Sequence, residues 1–177
     1  LTGFNILNYF SRNLDQLLIG KFLGAESLGY YALAYKIMLF PIQNITQVIA
    51  KVFFPAFSRI QGDLIKVRFA YLRTLKSISF FSFPFMAGLM VLSPEIVMLF
   101  LGPKWASIVP IIRVLSICGL VQSIFTLAGS ILLSQGRADI QYKLGLTGIL
   151  FVVLAVAIGL RWGLLGVAIC YTIEQSL

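Results

Sequence analysis

Asn5, Asn8, Arg12, Asp15 and Gln16 recur at a spacing that puts them, at about 100° per residue, within roughly a third of a helix circumference. Lys36, Gln43, Gln47 and Lys51 repeat the pattern in the next apolar segment. A charged side chain at membrane depth costs about 2.5 to 3.5 kcal/mol on insertion scales, so it normally faces protein or a water-filled cavity. The two stripes therefore predict a polar, mostly cationic lining inside a membrane bundle, and the chemistry open to such a lining is the reception of an anion.

The stripes are matched in depth. Counting from Gly24, in the connection between the two segments, Arg12 lies twelve residues before, Lys36 twelve after and Asp15 nine before. At about 1.5 Å per residue, Asp15 and Lys36 differ by only about 5 Å in height. Adjacent antiparallel helices would bring Asp15 near Arg12 on its own helix, at i, i+3, and near Lys36 across the interface. One reading is a neutralising cluster that permits insertion and fixes register. Against it stand two cations to one anion, or three with Lys51, and the polar surface added by Asn5, Asn8, Gln43 and Gln47. That excess points to a cavity for a phosphate or an acidic sugar. Lys51 alone also fits a side chain snorkelling to the cytoplasmic face. Asp15 either steadies the cations or takes part in an ion-coupled step. Glu174 is a second candidate for ion coupling if its span starts near Leu164, and an interface residue if the helix ends soon after Leu177.

Catalysis has little support. The chain has no histidine, and its carboxylates are Asp15, Glu26, Asp63, Glu95, Asp139 and Glu174, with no acid and base pair among them. Neither a phosphate-binding glycine loop nor a metal-ligand cluster is present. Cys118 and Cys170 sit singly in apolar segments, as buried small side chains do. A non-enzyme without cofactor or metal is expected, and nothing indicates nucleic acid as a partner.

The elements that must position the stripes follow from composition. The chain is 59% hydrophobic and 11% charged, where a soluble domain has about 45 to 50% and about 25%. Six stretches approach the length of about 20 residues that a crossing helix needs: residues 1–19, 28–54, 75–92, 107–133, 144–160 and 164 onward. This predicts an all-α, polytopic membrane bundle, one transmembrane domain over residues 1–177. Without an initiator methionine, and with an apolar stretch still running at Leu177, the chain reads as a fragment of a longer protein. Arg12, Asn13 and Asp15 interrupt any signal-peptide pattern in the first stretch.

Loop charges set the orientation. One set of loops carries Lys21, Lys104 and Arg161; the other carries Arg59, Lys66, Arg68, Arg73, Lys76, Arg137 and Lys143. The richer set belongs in the cytoplasm. Residues 57–76 hold a basic, partly apolar segment expected to lie along the interface and meet anionic headgroups of membrane lipids. Tyr30 and Tyr31 mark the outer interface at the start of the second span, and Pro41 should kink that span. The stretch from Ser93 to Trp105 is too short to cross and should lie at the outer surface. Ser116, Gly119, Ser123 and Ser130, with Gly129 close by, give the fourth span a small-residue face for close helix packing. Arg113, near the outer end of that span, fits snorkelling or a place on the substrate path.

The run NLDQLLIGKFLGAESLGYYALAYKIMLFPIQNITQVIAKVFFPAFSRIQGD resembles the segment that opens the second half of bacterial polysaccharide exporters and lipopolysaccharide flippases. These belong to the multidrug/oligosaccharidyl-lipid/polysaccharide exporter superfamily. Asp15 before LLIG, Gly20, Gly24, the LGYY and LAYK strings, Pro41 and FPAFSRI carry the likeness, and LGPKW and SQGRAD extend it along nearly the whole chain. The resemblance implies two helical lobes around a central cavity in the inner membrane, with alternating access moving a lipid-linked oligosaccharide to the outer leaflet. It implies that Arg12, Asp15 and Lys36 line that cavity and that the first lobe is missing from this chain. Two other readings stand beside it. A drug or organic-cation antiporter on the same fold would favour a carboxylate-rich cavity, and a glycosyltransferase acting on a polyprenyl carrier would need a catalytic group in an outer loop.

Overall fold

The computed structural model describes the backbone of residues 2–60 and 62–176, and side chains from Asn13 onward except Leu14, Ala50 and Leu64. Every regular element among these residues is helical. Helix α1 (Thr2–Pro41) is two arms joined at Gly24, whose φ of 86° and ψ of 171° lie where only glycine sits without strain. The chain folds back there. A methyl group on Gly20 would lie 3.1 Å from Leu28 Cδ2, so the arms touch close to the turn.

Pro41 ends α1 by withholding an N–H from the helix ladder. A π-helical turn, Ile42–Thr46, absorbs the break, and α2 (Gln47–Arg59) continues from it. Widened turns of this kind are frequent at functional sites. The buried Thr46 hydroxyl sits 3.4 Å from that of Ser82 and ties the turn to the neighbouring helix.

Helix α3 (Leu64–Val91) starts at Asp63, whose carboxylate accepts the Lys66 N–H at 3.1 Å and pairs with its ammonium at 3.0 Å. The basic stretch expected to lie along the interface is divided instead. Residues 57–59 finish α2, and residues 64–76 form the first half of α3 without a break. No proline or glycine intervenes until Pro84, so the helix runs on for 28 residues, or about 42 Å. That exceeds a hydrocarbon core of about 30 Å, and the basic residues fall in the first half of the helix.

After α3 come a short helix, α4 (Ser93–Phe100), and a 3-10 turn, Pro103–Ile108. At about 12 Å, α4 cannot cross a membrane. Tyr30 and Trp105 meet edge to face with centroids 5.6 Å apart, which puts this segment at the Gly24 end of the bundle. Helix α5 (Val109–Ser134) lies at the centre. A methyl on its Gly119 would overlap the Met86 side chain and lie 3.1 Å from Met38 Cγ, so the small-residue face admits α3 and α1 together. At the opposite end Gln135 Nε2 donates to the Phe57 carbonyl at 3.4 Å. The turns that follow α2 and α5 therefore share one end, and Arg59, Lys66 and Arg137, three of the richer set of basic residues, lie at or within a few residues of them.

Helix α6 (Ala138–Gly159), a 3-10 turn (Leu160–Trp162) and α7 (Gly163–Glu174) complete the fold. A methyl on Gly159 would lie 2.6 Å from Val167 Cα, so α7 folds back along α6 at backbone contact. Four stretches among the described residues are long and apolar enough to cross a membrane: Asp15–Arg59, Ile65–Val91, Pro103–Ser134 and Ala138–Glu174. The fold-backs at Gly24 and Gly163 split the first and last into antiparallel limbs. The limb expected from residue 164 is α7, antiparallel to α6. Large apolar side chains such as Phe80, Leu99 and Leu150 face outward, as lipid requires, while Met38, Ile112, Leu115 and Val156 fill the interior.

Candidate functional site

The hairpin, the π turn, α2, α5, α6 and α7 border a partly open cavity of about 520 Å³. The first arm of α1 contributes Asp15 and Gln16, and the second contributes Tyr35 and Lys36. Gln43 enters from the π turn and Gln47 from the first residue of α2, while Gln122 and Thr126 come from α5 and Tyr171 from α7. In an apolar bundle this concentration of amides, hydroxyls and charge marks a space built to hold something polar.

Asp15 and Lys36 share the cavity, as their matched depths predict, but no ion pair joins them. Asp15 is 2% exposed, and its Oδ1 accepts the Gln16 N–H at 2.8 Å. Across the hairpin its Oδ2 faces the Tyr31 hydroxyl in the buried interior, close enough for the two to interact but outside ordinary hydrogen-bond geometry. Lys36 is exposed to the cavity. Among the described residues the ion pair that forms is Lys66 with Asp63, outside the cavity. The side chains of Asn5, Asn8 and Arg12 lie outside the described residues, so the Arg12 part of the expected cluster has no structural counterpart here.

Lys51 stands one step away. It lines an adjoining pocket of about 260 Å³ with Gln47, Phe54, Thr126 and Ser130. Glu174 is not brought to Asp15. It is the last residue of α7, accepts Gln175 Nε2 at 3.0 Å, and opens on a separate, largely apolar groove between α6 and α7 with Thr147 and Cys170. Arg113 is exposed and donates from Nε to Ser93 Oγ at 3.3 Å, away from the cavity.

Tyr35, Gln122 and Tyr171, which line the cavity, carried no weight in the sequence, and Tyr31 beside them was given another place. Tyr31, expected at the outer interface, is fully buried and stacks on Tyr35 with centroids 6.0 Å apart. The Tyr35 and Tyr171 hydroxyls pair at 3.1 Å, tying the hairpin to α7. Gln122 lines the cavity with its Oε1 unpartnered. The i, i+4, i+7 run of Tyr31, Tyr35 and Met38 was the available signal, since it is the buried stripe beside Lys36. A lone glutamine in an apolar helix was the other.

Fold and cavity together define a multi-pass helical membrane protein with a polar, lysine-bearing interior. A family profile described as polysaccharide biosynthesis protein matches residues 1–110. The chain belongs to this family, in agreement with its resemblance to the polysaccharide exporters and lipopolysaccharide flippases. It is 35% identical over 176 residues to the lipopolysaccharide biosynthesis protein WzxC of Escherichia coli strain K12, covering 99% of this chain and 36% of the relative. The teichuronic acid biosynthesis protein TuaB of Bacillus subtilis strain 168 is 36% identical over 137 residues, 77% of this chain and 28% of the relative. The amylovoran biosynthesis protein AmsL of Erwinia amylovora is 29% identical over 155 residues, 88% of this chain and 40% of the relative. The chain thus spans about a third of the length of these relatives. No solved structure gives a significant match.

Proposed function

We propose that this chain is part of a transporter that flips a polyprenyl-pyrophosphate-linked oligosaccharide across the bacterial inner membrane, for polysaccharide or lipopolysaccharide assembly. The observation that carries this reading is Lys36, a cation with no ion-pair partner among the described residues, facing a polar cavity at membrane depth. An unneutralised ammonium there is costly unless an anion or water meets it. The pyrophosphate, or an acidic sugar, supplies the anion, while the polyprenyl tail stays in lipid. The amides of Gln43, Gln47 and Gln122 offer sequence-tolerant hydrogen bonds to sugar hydroxyls.

Alternating access needs a second wall, and the facing lobe implied by the resemblance would supply it. Asp15, buried with one oxygen unpartnered, is the group in this cavity best suited to an ion-coupled step. The relatives are named for the biosynthesis of lipopolysaccharide, teichuronic acid and amylovoran, and that range fits a cavity that reads charge and hydroxyls rather than one particular sugar.

The test is Lys36→Gln in the complete gene product. Polysaccharide export in a strain lacking the native gene should fall to the level of the empty vector, with the protein still at wild-type amount in the membrane. Wild-type export by Lys36→Gln would remove Lys36 from the substrate path.

A further inference from the structure

The polar surface does not end at the cavity. Gln47 and Thr126 each line two spaces, the cavity with Lys36 and the adjoining pocket with Lys51 and Ser130, so the two are continuous along one wall. Lys51 follows Lys36 by fifteen residues, about 20 Å along the helix axis. It lies toward the end where Phe57 and Gln135 meet, and where Arg59, Lys66 and Arg137 stand near the turns after α2 and α5.

Snorkelling explains why an ammonium at Lys51 reaches outward. It does not explain why Gln47, Thr126 and Ser130 join Phe54 in the wall of a recess beside it. The Thr126 hydroxyl donates to the Gln122 carbonyl at 2.8 Å and that of Ser130 to the Thr126 carbonyl at 3.4 Å. Their hydrogens are therefore engaged, and their lone pairs are free to accept from the Lys51 ammonium or the Gln47 amide and so orient those donors. Lys51 has no ion-pair partner among the described residues. The result is a donor pair, one charged and one neutral, at the mouth of a pocket with room for a phosphate or pyrophosphate group.

We infer that Lys51 and Gln47, oriented by Thr126 and Ser130, form a second anion subsite for a phosphate or pyrophosphate group, one step before Lys36 on the way in from the basic end. Gln47, common to both spaces, hands the group on. The π turn Ile42–Thr46 lies in the chain between the two lysines and sets how α2 carries Lys51 relative to the hairpin that carries Lys36. This inference rests on the proposed function, since it supposes an anion on that path.

The experiment measures binding of radiolabelled inorganic pyrophosphate to the complete gene product in nanodiscs of neutral phosphatidylcholine. Wild type, Lys51→Gln, Lys51→Arg and Lys36→Gln are compared. Loss of one charge-assisted contact should weaken binding at the affected site about tenfold or more. The expected result is two sites in wild type, one removed by Lys51→Gln and kept by Lys51→Arg, the other removed by Lys36→Gln. Lys51 is exposed, so its substitution leaves the packed interior alone. If Lys51→Gln binds as wild type does while Lys36→Gln binds less, the second subsite is refuted and the cavity reading stands. If wild type binds no pyrophosphate, or neither substitution changes binding, the anionic path falls and the subsite with it.

Discussion

Tyr35 and Tyr171 meet hydroxyl to hydroxyl at 3.1 Å, with their rings edge to face and centroids 6.0 Å apart. They are separated by 136 residues in the chain, and the pair joins the second arm of the hairpin to α7 beside the cavity. With Tyr31 stacked on Tyr35, the ring ladder reaches from the neighbourhood of Asp15 to the last helix. It is the polar seam along which those two elements are held in register.

Removing one hydroxyl leaves the other, mostly buried at the cavity wall, without this partner. Each of Tyr35→Phe and Tyr171→Phe should lower stability by about 1 to 3 kcal/mol, the usual penalty for an unsatisfied buried polar group. The double substitution should cost less than the sum by at least about 0.5 kcal/mol, because it removes both halves of the pair. Thermal unfolding of the four purified proteins closes the cycle. Strictly additive losses would mean that the hydroxyls do not act on each other.

Much of this was legible from residue types alone, and the boundary of what was legible has a physical cause. Gly24 announces a turn because no other residue sits easily at its φ, and the depths of Asp15 and Lys36 follow from counting along two limbs. Periodicity also gives the angle of a side chain around its own axis. It does not give the rotation of the neighbouring helix, which is why Asp15 turns to Tyr31 and leaves Lys36 open to the cavity. Tyr31 was misplaced for a related reason. Aromatic residues near a span end are common at interfaces, but adjacent positions point about 100° apart, so Tyr30 meets Trp105 while Tyr31 enters the core. That Glu174 opens on a groove between α6 and α7 depended on how α7 packs against α6, which no local pattern encodes.

Asp63 gives a pH dependence outside the membrane-spanning segments. The Lys66 backbone N–H, and then the Lys66 side chain, hold its carboxyl below the ordinary range. Its folded value is depressed, so the stabilisation of the α3 start is present above the unfolded carboxylate value, about 3.9, and is lost as pH falls through the lower folded value. Hydrogen exchange in the peptide spanning Lys66 and Val67 should be slow at neutral pH, with protection lost only below about pH 4. Asp63→Asn keeps an N-cap acceptor and should abolish the acid response, whereas Asp63→Ala should expose these amides at every pH. Unchanged exchange in Asp63→Ala would show that the cap does not hold this turn.

Asp15 separates stability from function most sharply. Its Oδ2 and the Tyr31 hydroxyl face each other, buried, on the two arms of the hairpin. Asp15→Asn adds an N–H donor that the Tyr31 oxygen can accept and removes the buried charge. The variant should therefore melt at or above the wild-type temperature, because a neutral amide is less costly to bury than a carboxylate. Export should fall to background if that carboxylate takes the coupling ion, and protein amount in the membrane should not change. Wild-type export by Asp15→Asn would reduce Asp15 to a packing residue. A lower melting temperature together with lost export would mean that the carboxylate holds the hairpin together, and the ion-coupled role would lose its support.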